Sequence, residues 1–509
     1  MSSSKGQKNN SKKDARKNKA AEIANAFEGL ITALILAFLF RAFVMEAFRI
    51  PTGSMADTLK GAHIRLRCPQ CGYKYNYGLG NYGFQDTIPR GPLKSVYSRC
   101  PSCGHYQPTG GTMPIAYGDR ILVLKCIYQF FEPKQWDVIV FKNPLDPTIN
   151  YIKRLVGRPG ETVEIIDGDV YINGRISRKP PKVQNELWKP VYDNDYQPVR
   201  PREKRSFNGR FWQQPFKNDT GSRWETDKDN ATLFRLDSPA GQINTMIYDT
   251  KSGNDFRATY AYDDVKSYKH MPYCSDLMVR LYANRLDAGG LIGVEMSKYK
   301  TRYKAWVDSS GEMVIEAVKG EETVELERKT IELPAMNKPI LVKFTNVDHQ
   351  LIFQFGREKL PHNLGDGPND AGQRKTDIEP EVKIFGSGKL TLSHVAIFRD
   401  IHYTTSQSVN SSESARATES NPFMLGKDEF FVLGDNSPNS LDSRWWSRSG
   451  VGNNGQDYTV GTVPRDYLVG KALFVYWPSG FKPFAKFPFS IIPNVGRMRF
   501  IYGGSNNNP

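Results

Sequence analysis

The run from Phe27 to Phe48, FEGLITALILAFLFRAFVMEAF, limits what this chain can fold into more than any other stretch. Its length is what a helix needs to cross a hydrocarbon core of about 30 Å. Arg41 and Glu46 fall in its last two turns, where long charged side chains snorkel to the interface. No second run of that length follows, because the apolar piece between 487 and 502 is broken by Pro493, Arg497 and Arg499. One membrane-spanning helix over 27–48 is therefore expected, with everything beyond Phe48 on the far side. A cleaved signal peptide would need a small-residue cleavage site. None is obvious where the run meets the next segment, although Ala42 and Ala47 leave cleavage open.

Orientation follows from charge. Lys5, Lys8, Lys12, Lys13, Arg16, Lys17 and Lys19 face only Asp14 among the first 20 residues of a chain whose net charge is +15. Beside an apolar run, such a cluster reads as the cytoplasmic end under the positive-inside rule, not as a nucleic-acid arm. No nucleic-acid partner is expected, and the polar stretch 1–20 is expected to be disordered. A chain of 509 residues exceeds one ordinary core, so two or three domains are anticipated beyond the anchor.

Directly after the apolar run comes Phe48-Arg49-Ile50-Pro51-Thr52-Gly53-Ser54-Met55. Pro51 fixes its own φ and biases Ile50 toward extended geometry, while Gly53 permits close backbone approach. Ser54 is thus a hydroxyl on a rigid extended-then-turned backbone and the candidate nucleophile. Two knuckles follow, Cys68-Pro69-Gln70-Cys71-Gly72 and Cys100-Pro101-Ser102-Cys103-Gly104. Four thiolates on two tight turns suit tetrahedral zinc. A pair of disulfides is the alternative in an exported location. Either role is structural, since four thiolates leave a metal no open position. Cys126 and Cys274 have no partner motif and are expected to be buried apolar residues.

Short strands follow within Tyr117–Lys125, which starts with a turn, at 136–141, 151–156 and 162–166, and in Gly168–Gly174, which closes on an Asn-Gly turn, and argue for an all-β core. From about Pro180 to Pro422 that pattern is interrupted. Leu277, Val279, Leu281 and Ala283 alternate with Met278, Arg280, Tyr282 and Asn284. Ile340, Val342, Phe344, then Leu351, Phe353, Phe355, and then Leu390, Leu392, Val395 and Ile397 repeat the sign. This predicts an inserted β-sandwich, similar in general look to jelly-roll modules of the laminin-G or concanavalin type. Thr404–Ser420 reads as a flexible return. The core resumes with the strand Phe430–Leu433, the loop Gly434–Arg444 and a closing strand Leu468–Trp477.

A serine hydroxyl needs a base, and none of the seven histidines lies near Ser54 in these stretches. Lys153, in Tyr151-Ile152-Lys153-Arg154, is the remaining candidate. An ordinary lysine, with a pKa of about 10.4, is neutral in roughly one molecule in a thousand near pH 7.4, so an apolar wall would have to lower its pKa.

Taken together, FRIPTGSMADTL after an apolar helix, GDRILVLK, YIKRLVGRPGE and FVLGDNSPNSLDSRWW, in this order, resemble the type I signal peptidases, membrane-anchored Ser/Lys endopeptidases. The resemblance implies Ser54 as nucleophile and Lys153 as general base. It also implies an oxyanion hole formed by the Ser54 N–H and the Thr52 hydroxyl, each donor contributing about 3 kcal/mol. Ser440 would orient the lysine amine, and Asp442 with Arg444 would support the site. Phe48, Ile50, Leu59 and Ile152 would line small pockets for alanine-like residues before the cleavage point. Two departures are Asp57, where a proline is common, and Asn436-Ser437-Pro438-Asn439, where Arg-Asp is frequent after the asparagine. The insertion near residue 61 lies close enough to Ser54 in sequence to narrow substrate access.

The expected layout is a basic tail 1–26, a transmembrane helix 27–48, and a mainly β catalytic core from 49–60, 113–180 and 423–485. A zinc-ribbon-like insert spans 61–112, a sandwich insert 181–422, and a tail 486–509. The expected function is signal-peptide removal from exported preproteins at the cell (inner or cytoplasmic) membrane, after small residues at P1 and P3. The amino terminus is cytoplasmic and the catalytic part extracytoplasmic. No catalytic cofactor is expected; structural zinc is the candidate metal. Preproteins and the bilayer are the expected partners, with the secretion translocase a further candidate. Alternatives are a self-processing Ser/Lys peptidase and a membrane-tethered envelope binding protein with a vestigial peptidase core.

Overall fold

The computed structural model describes residues 4–79, 93–200, 207, 209–226, 232–264, 271–285, 289–335, 337–368, 378–405, 415–453, 455–480 and 492–504. The fold is mainly β, preceded by one amino-terminal helix. That helix runs Ser4–Leu39 and continues as a π-turn Phe40–Val44. Its lysine-rich start, expected to be disordered, is helical. Lys, Ala, Arg and Gln are strong helix formers, and extending an existing helix avoids the nucleation cost. The segment Glu22–Val44 is long and apolar enough to cross a membrane.

The helix ends before Phe48. Met45–Arg49 is a strand, paired antiparallel with Arg120–Leu124 from Met45 opposite Leu124 to Arg49 opposite Arg120. The expected span 27–48 therefore overruns the helix by four residues, because a ladder partner takes the backbone hydrogen bonds there. The two strands belong to an eight-stranded sheet. It continues through Leu468–Trp477, Val138–Asn143, Asp146–Gly157, Glu429–Leu433 and Val463–Pro464. Arg499–Phe500 also pairs with Leu468–Trp477, and Ile501 is buried beside Val475 and Ile121. Residues 499–501, within the expected tail, thus pack into the core sheet, while 481–491 and 505–509 lie outside the described residues.

A four-stranded sheet, Arg175–Ile176, Asp169–Ile172, Thr162–Ile166 and Phe423–Met424, packs on the large sheet. Val163, Ile165, Leu425, Phe431 and Leu433 are buried between them. Ala417, from the expected flexible return, joins that cluster together with Ile401 and Tyr403 just before it, while 406–414 lie outside the described residues.

Between 189 and 399 two seven-stranded sheets face each other over one apolar core that includes Phe234, Leu281, Val294, Phe344, Phe353 and Ile397. The expected sandwich is there. The break in alternation between Leu392 and Val395 is a bulge within one strand, Lys389–Arg399. His394 takes φ 52° there, and the extra residue returns Val395 and Ile397 to the inner face. Where the sandwich meets the smaller sheet, Lys179 pairs with Asp348 and, at 2.9 Å, Asp400. Lys298 pairs with Asp276 and lies 3.8 Å from Asp169.

The cysteine-bearing insert is two small sheets: His63–Arg67, Lys74–Gly78 and Ile115–Ala116, then Leu93–Arg99 with Tyr106–Gly111. Its knuckles repeat one another. The Gly72 N–H donates to the Cys68 carbonyl at 2.8 Å, and the Gly104 N–H to the Cys100 carbonyl at 3.0 Å. Both glycines adopt left-handed φ, 78° and 76°, which a tight turn requires.

Candidate active site

Ser54 lies in the turn after Pro51, and Lys153 extends from the buried half of Asp146–Gly157. The Lys153 Nζ donates to Ser54 Oγ at 2.8 Å and to the Ile152 carbonyl at 3.1 Å. Lys153 is 4% exposed. Burial pushes its pKa down to about 8, against Asp442 and Asp435, whose charges hold it up, while Arg444 also lowers it. An amine so placed can be neutral at neutral-to-basic pH and can accept a proton from the serine.

The loop after Glu429–Leu433 fixes the backbone of this pair. The Asn436 N–H donates to the Ser54 carbonyl at 3.0 Å. The Gly434 N–H donates to Asp442 Oδ2 at 3.0 Å, and Arg444 grips the same carboxylate through Nε and Nη2 at 2.8 and 2.7 Å. Arg444 Nη1 also donates to the Thr404 carbonyl at 2.5 Å. Both side chains are fully buried. Ser440 is brought next to Gly434, where an added Cβ would sit 2.2 Å from its Oγ. That Oγ is buried without a hydrogen-bond partner among the described residues, so it does not bond Lys153 here.

Thr52 and Ile152 line a cleft with Ser54 and Lys153. Ile50 and Leu59 are buried behind it, packed with Met55, Phe48 and Ile152 in one cluster. They therefore form the backing of this region, with Ile152 reaching its surface.

A second buried pair was not singled out from the sequence. Arg154 donates to Asp435 through Nε at 2.8 Å and Nη2 at 2.7 Å, and through Nη1 to the Trp136 carbonyl at 2.9 Å. Neither side chain is exposed. The sequence signal was an arginine between Ile152 and the apolar Leu155 and Val156, where only a paired charge can be buried. Also missed were Tyr262 and Asp263, which lie within the expected sandwich insert yet line the cleft. Asn436 Nδ2 donates to Asp263 Oδ1 at 2.8 Å, and burial pushes that carboxyl up to about 6.

The four knuckle sulfurs converge within 4.8 Å of one another, with Cys68 to Cys103 and Cys71 to Cys100 each 3.6 Å apart. A tetrahedron of sulfurs about 2.3 Å from a zinc ion has edges of about 3.8 Å, so the donor set fits such an ion. Cys274 is buried as expected, and Cys126 is partly exposed.

The family described as Signal peptidase, peptidase S26 matches residues 104–230 and 382–477. Signal peptidase I of Rickettsia canadensis (strain McKiel) is 30% identical over 165 residues, covering 32% of this chain and 48% of that protein. Signal peptidase I of Rickettsia massiliae (strain Mtu5) is 31% identical over 148 residues, covering 28% and 41%. The chain thus spans about half the length of the curated relatives it matches, or less. Among solved structures, the carbohydrate binding module CBM66 from Bacillus subtilis is similar over 36% of this chain and 92% of that one, at 10% identity and a TM-score of 0.22. That likeness is too slight to carry an inference. The peptidase S26 match and the signal peptidase I relatives bear out the resemblance read from the sequence: over the matched residues this chain is similar to the signal peptidases.

Proposed function

We propose that this chain is a membrane-anchored serine endopeptidase that removes signal peptides from exported preproteins, cleaving after small residues at P1 and P3. The observation that carries this reading is the 2.8 Å contact between Lys153 Nζ and Ser54 Oγ in a cleft that follows a membrane-length helix. With the amine neutral, the Ser54 hydroxyl donates to Nζ along that contact. As the proton passes to Lys153, Oγ attacks the scissile carbonyl carbon and the carbonyl oxygen takes up the electron pair. The Ser54 N–H and the Thr52 hydroxyl are the donors for that oxyanion, each contributing about 3 kcal/mol. The lysine returns its proton to the departing amine, and the same amine, neutral again, draws a proton from the water that hydrolyses the acyl-serine ester.

Asp442 and Arg444 hold the loop behind the pair, and Ser440 supplies a hydroxyl beside it. Ile152 gives the substrate pockets an apolar wall, and Phe48, Ile50 and Leu59 back it. Among the described residues, Asp146–Gly157 pairs with Glu429–Leu433 only from Arg154 onward, so positions 149–152 have no second strand beside them. An extended substrate can add its backbone there. The amino terminus stays in the cytoplasm, and the catalytic part works at the far surface of the cell membrane, with the secretion translocase as a candidate neighbour. Cys68, Cys71, Cys100 and Cys103 would hold a structural zinc, which supplies rigidity and no chemistry at Ser54.

The test is purified full-length protein with a signal-peptide substrate. Wild type should cleave at one site, and Ser54→Ala and Lys153→Ala should each lose nearly all activity. Normal cleavage by Lys153→Ala would refute the base assignment. Cleavage confined to the protein's own chain would favour the self-processing reading.

A further inference from the structure

The cleft around Ser54 holds about 500 Å³, and its walls are drawn from three separate parts of the chain. That volume is in the range that encloses a whole small ligand, far beyond two alanine methyl groups. Tyr77, Leu79 and Val96 come from the cysteine-bearing insert, and Tyr262 comes from the connection between the sandwich strands Asn244–Tyr248 and Leu277–Arg285. We infer that the two insertions complete the peptide groove and that Tyr77, Leu79 and Val96 form an added subsite for an apolar substrate side chain outside the small pockets. This rests on the endopeptidase reading above.

The ring of Tyr262 fixes the wall relative to the nucleophile. A Cβ on Gly53, next to Ser54, would lie 2.3 Å from Tyr262 Cε1, and one on Gly78 would lie 2.0 Å from the same atom. The ring is therefore wedged between the catalytic turn and the edge of the insert, and both positions must be glycine for it to fit. The Gly78 N–H adds a bond to the Tyr262 carbonyl at 2.8 Å. The segment 254–264 is tied at both ends. Asn254 Nδ2 donates to the Val191 carbonyl at 3.0 Å and to the Cys100 carbonyl at 3.3 Å, while Asp263 accepts from Asn436. Asn436 in turn holds the Ser54 carbonyl. Chemistry and wall are thus one connected frame.

The groove's lining says what it accepts. Ile149 and Leu441, 41% and 42% exposed, line the same cleft as Val96 and Leu79 and present apolar surface to water inside it. An apolar side chain of a bound peptide removes that surface from solvent, and a polar one gains nothing there.

The experiment uses the full chain in detergent with two substrates. They share the small residues at the cleavage site and differ only in flanking leucines or serines. Wild type should prefer the leucine-flanked substrate through KM. Val96→Glu should raise KM for that substrate about tenfold, leave kcat within about twofold, and leave the serine-flanked substrate unchanged. Val96→Thr, nearly isosteric, should raise the same KM about threefold and decides the matter if Val96→Glu melts early. Equal effects on both substrates, no effect of either variant, or no wild-type preference would overturn the subsite while leaving the peptidase reading intact. A wild type that cleaves neither substrate would sink both.

Discussion

The pH dependence of catalysis tests the site most directly. Burial pushes Lys153 down to about 8 from the ordinary 10.5. Only the neutral amine can accept the Ser54 proton, so kcat/KM should rise with pH and level off above that midpoint. A group with a midpoint of about 8 is about 1% neutral at pH 6, about 10% at pH 7 and half at pH 8, so the rate should climb about fiftyfold from pH 6 to pH 8. An unperturbed lysine would still be climbing at pH 10. The limb cannot belong to His63, His349 or His402, since burial pushes His63 and His349 down to about 4 and His402 to about 3. Lys60 is the competing assignment, because burial also pushes it down to about 8. Lys60→Met should therefore keep the limb. The assay is kcat/KM on a fluorogenic signal peptide from pH 5.5 to 10 at constant ionic strength. A flat profile, a midpoint above 10, or a limb that disappears in Lys60→Met would refute the reasoning. The same shift has a cost in stability. The unfolded chain binds the lysine proton up to pH 10.5 and the folded chain only to about 8, so stability rises with pH through that window. Below it the buried amine opposes folding by about 3 kcal/mol, an order-of-magnitude figure at 1.36 kcal/mol per pKa unit.

Other tests follow from packing and charge. Gly434→Ala would place a methyl 2.2 Å from Ser440 Oγ and 2.6 Å from the Ser54 carbonyl oxygen, so kcat should fall at least about tenfold with little loss of melting temperature; wild-type kcat would contradict the packing. Asp435→Asn leaves the fully buried Arg154 unpaired and should lower stability by about 3–5 kcal/mol, read from the denaturant midpoint; a loss below about 1 kcal/mol would contradict the pairing. Lys298→Met strands Asp276 and should destabilise by a similar amount, about 3–5 kcal/mol, with the active-site pH profile unmoved. Metal analysis of purified protein should find one zinc per chain, and a strong chelator should expose four reactive thiols; four oxidised cysteines without metal would favour disulfides.

What could be read in advance divides along physical lines. Ser54 and Lys153 were singled out because each sits in a short stretch whose local chemistry is unusual, a hydroxyl in a Pro-Gly turn and a cation in an apolar strand, whereas Asp442 and Arg444 were singled out only by the family resemblance. The sandwich was legible because period-2 alternation survives any context. The strand Met45–Arg49 was hidden, since its residues continue an apolar run and only the distant partner Arg120–Leu124 makes them extended. The groove walls were hidden for the same reason. Nothing local distinguishes Tyr262 from other tyrosines until Gly53 and Gly78 close on its ring.

The two buried ion pairs also bear on how readily the Lys153 amine, the proposed base, loses its proton. Asp442 and Asp435 both act on it in the direction that keeps the proton on. One unit charge about 6 Å from another, at an effective dielectric near 20, is worth about 3 kcal/mol, or about two pKa units. A single uncompensated carboxylate at such a range would therefore undo most of what burial does to the amine. Each carboxylate is instead gripped by its own guanidinium, Arg444 on Asp442 and Arg154 on Asp435. The pairs hold the loop and the strand in place, and Arg444 also opposes the pull of the carboxylates on the lysine proton. On this argument a neutral substitution of Arg444 should raise the midpoint of the Lys153 limb toward that of an ordinary lysine, in whatever fraction of the protein still folds. A change confined to stability would leave the midpoint where it is.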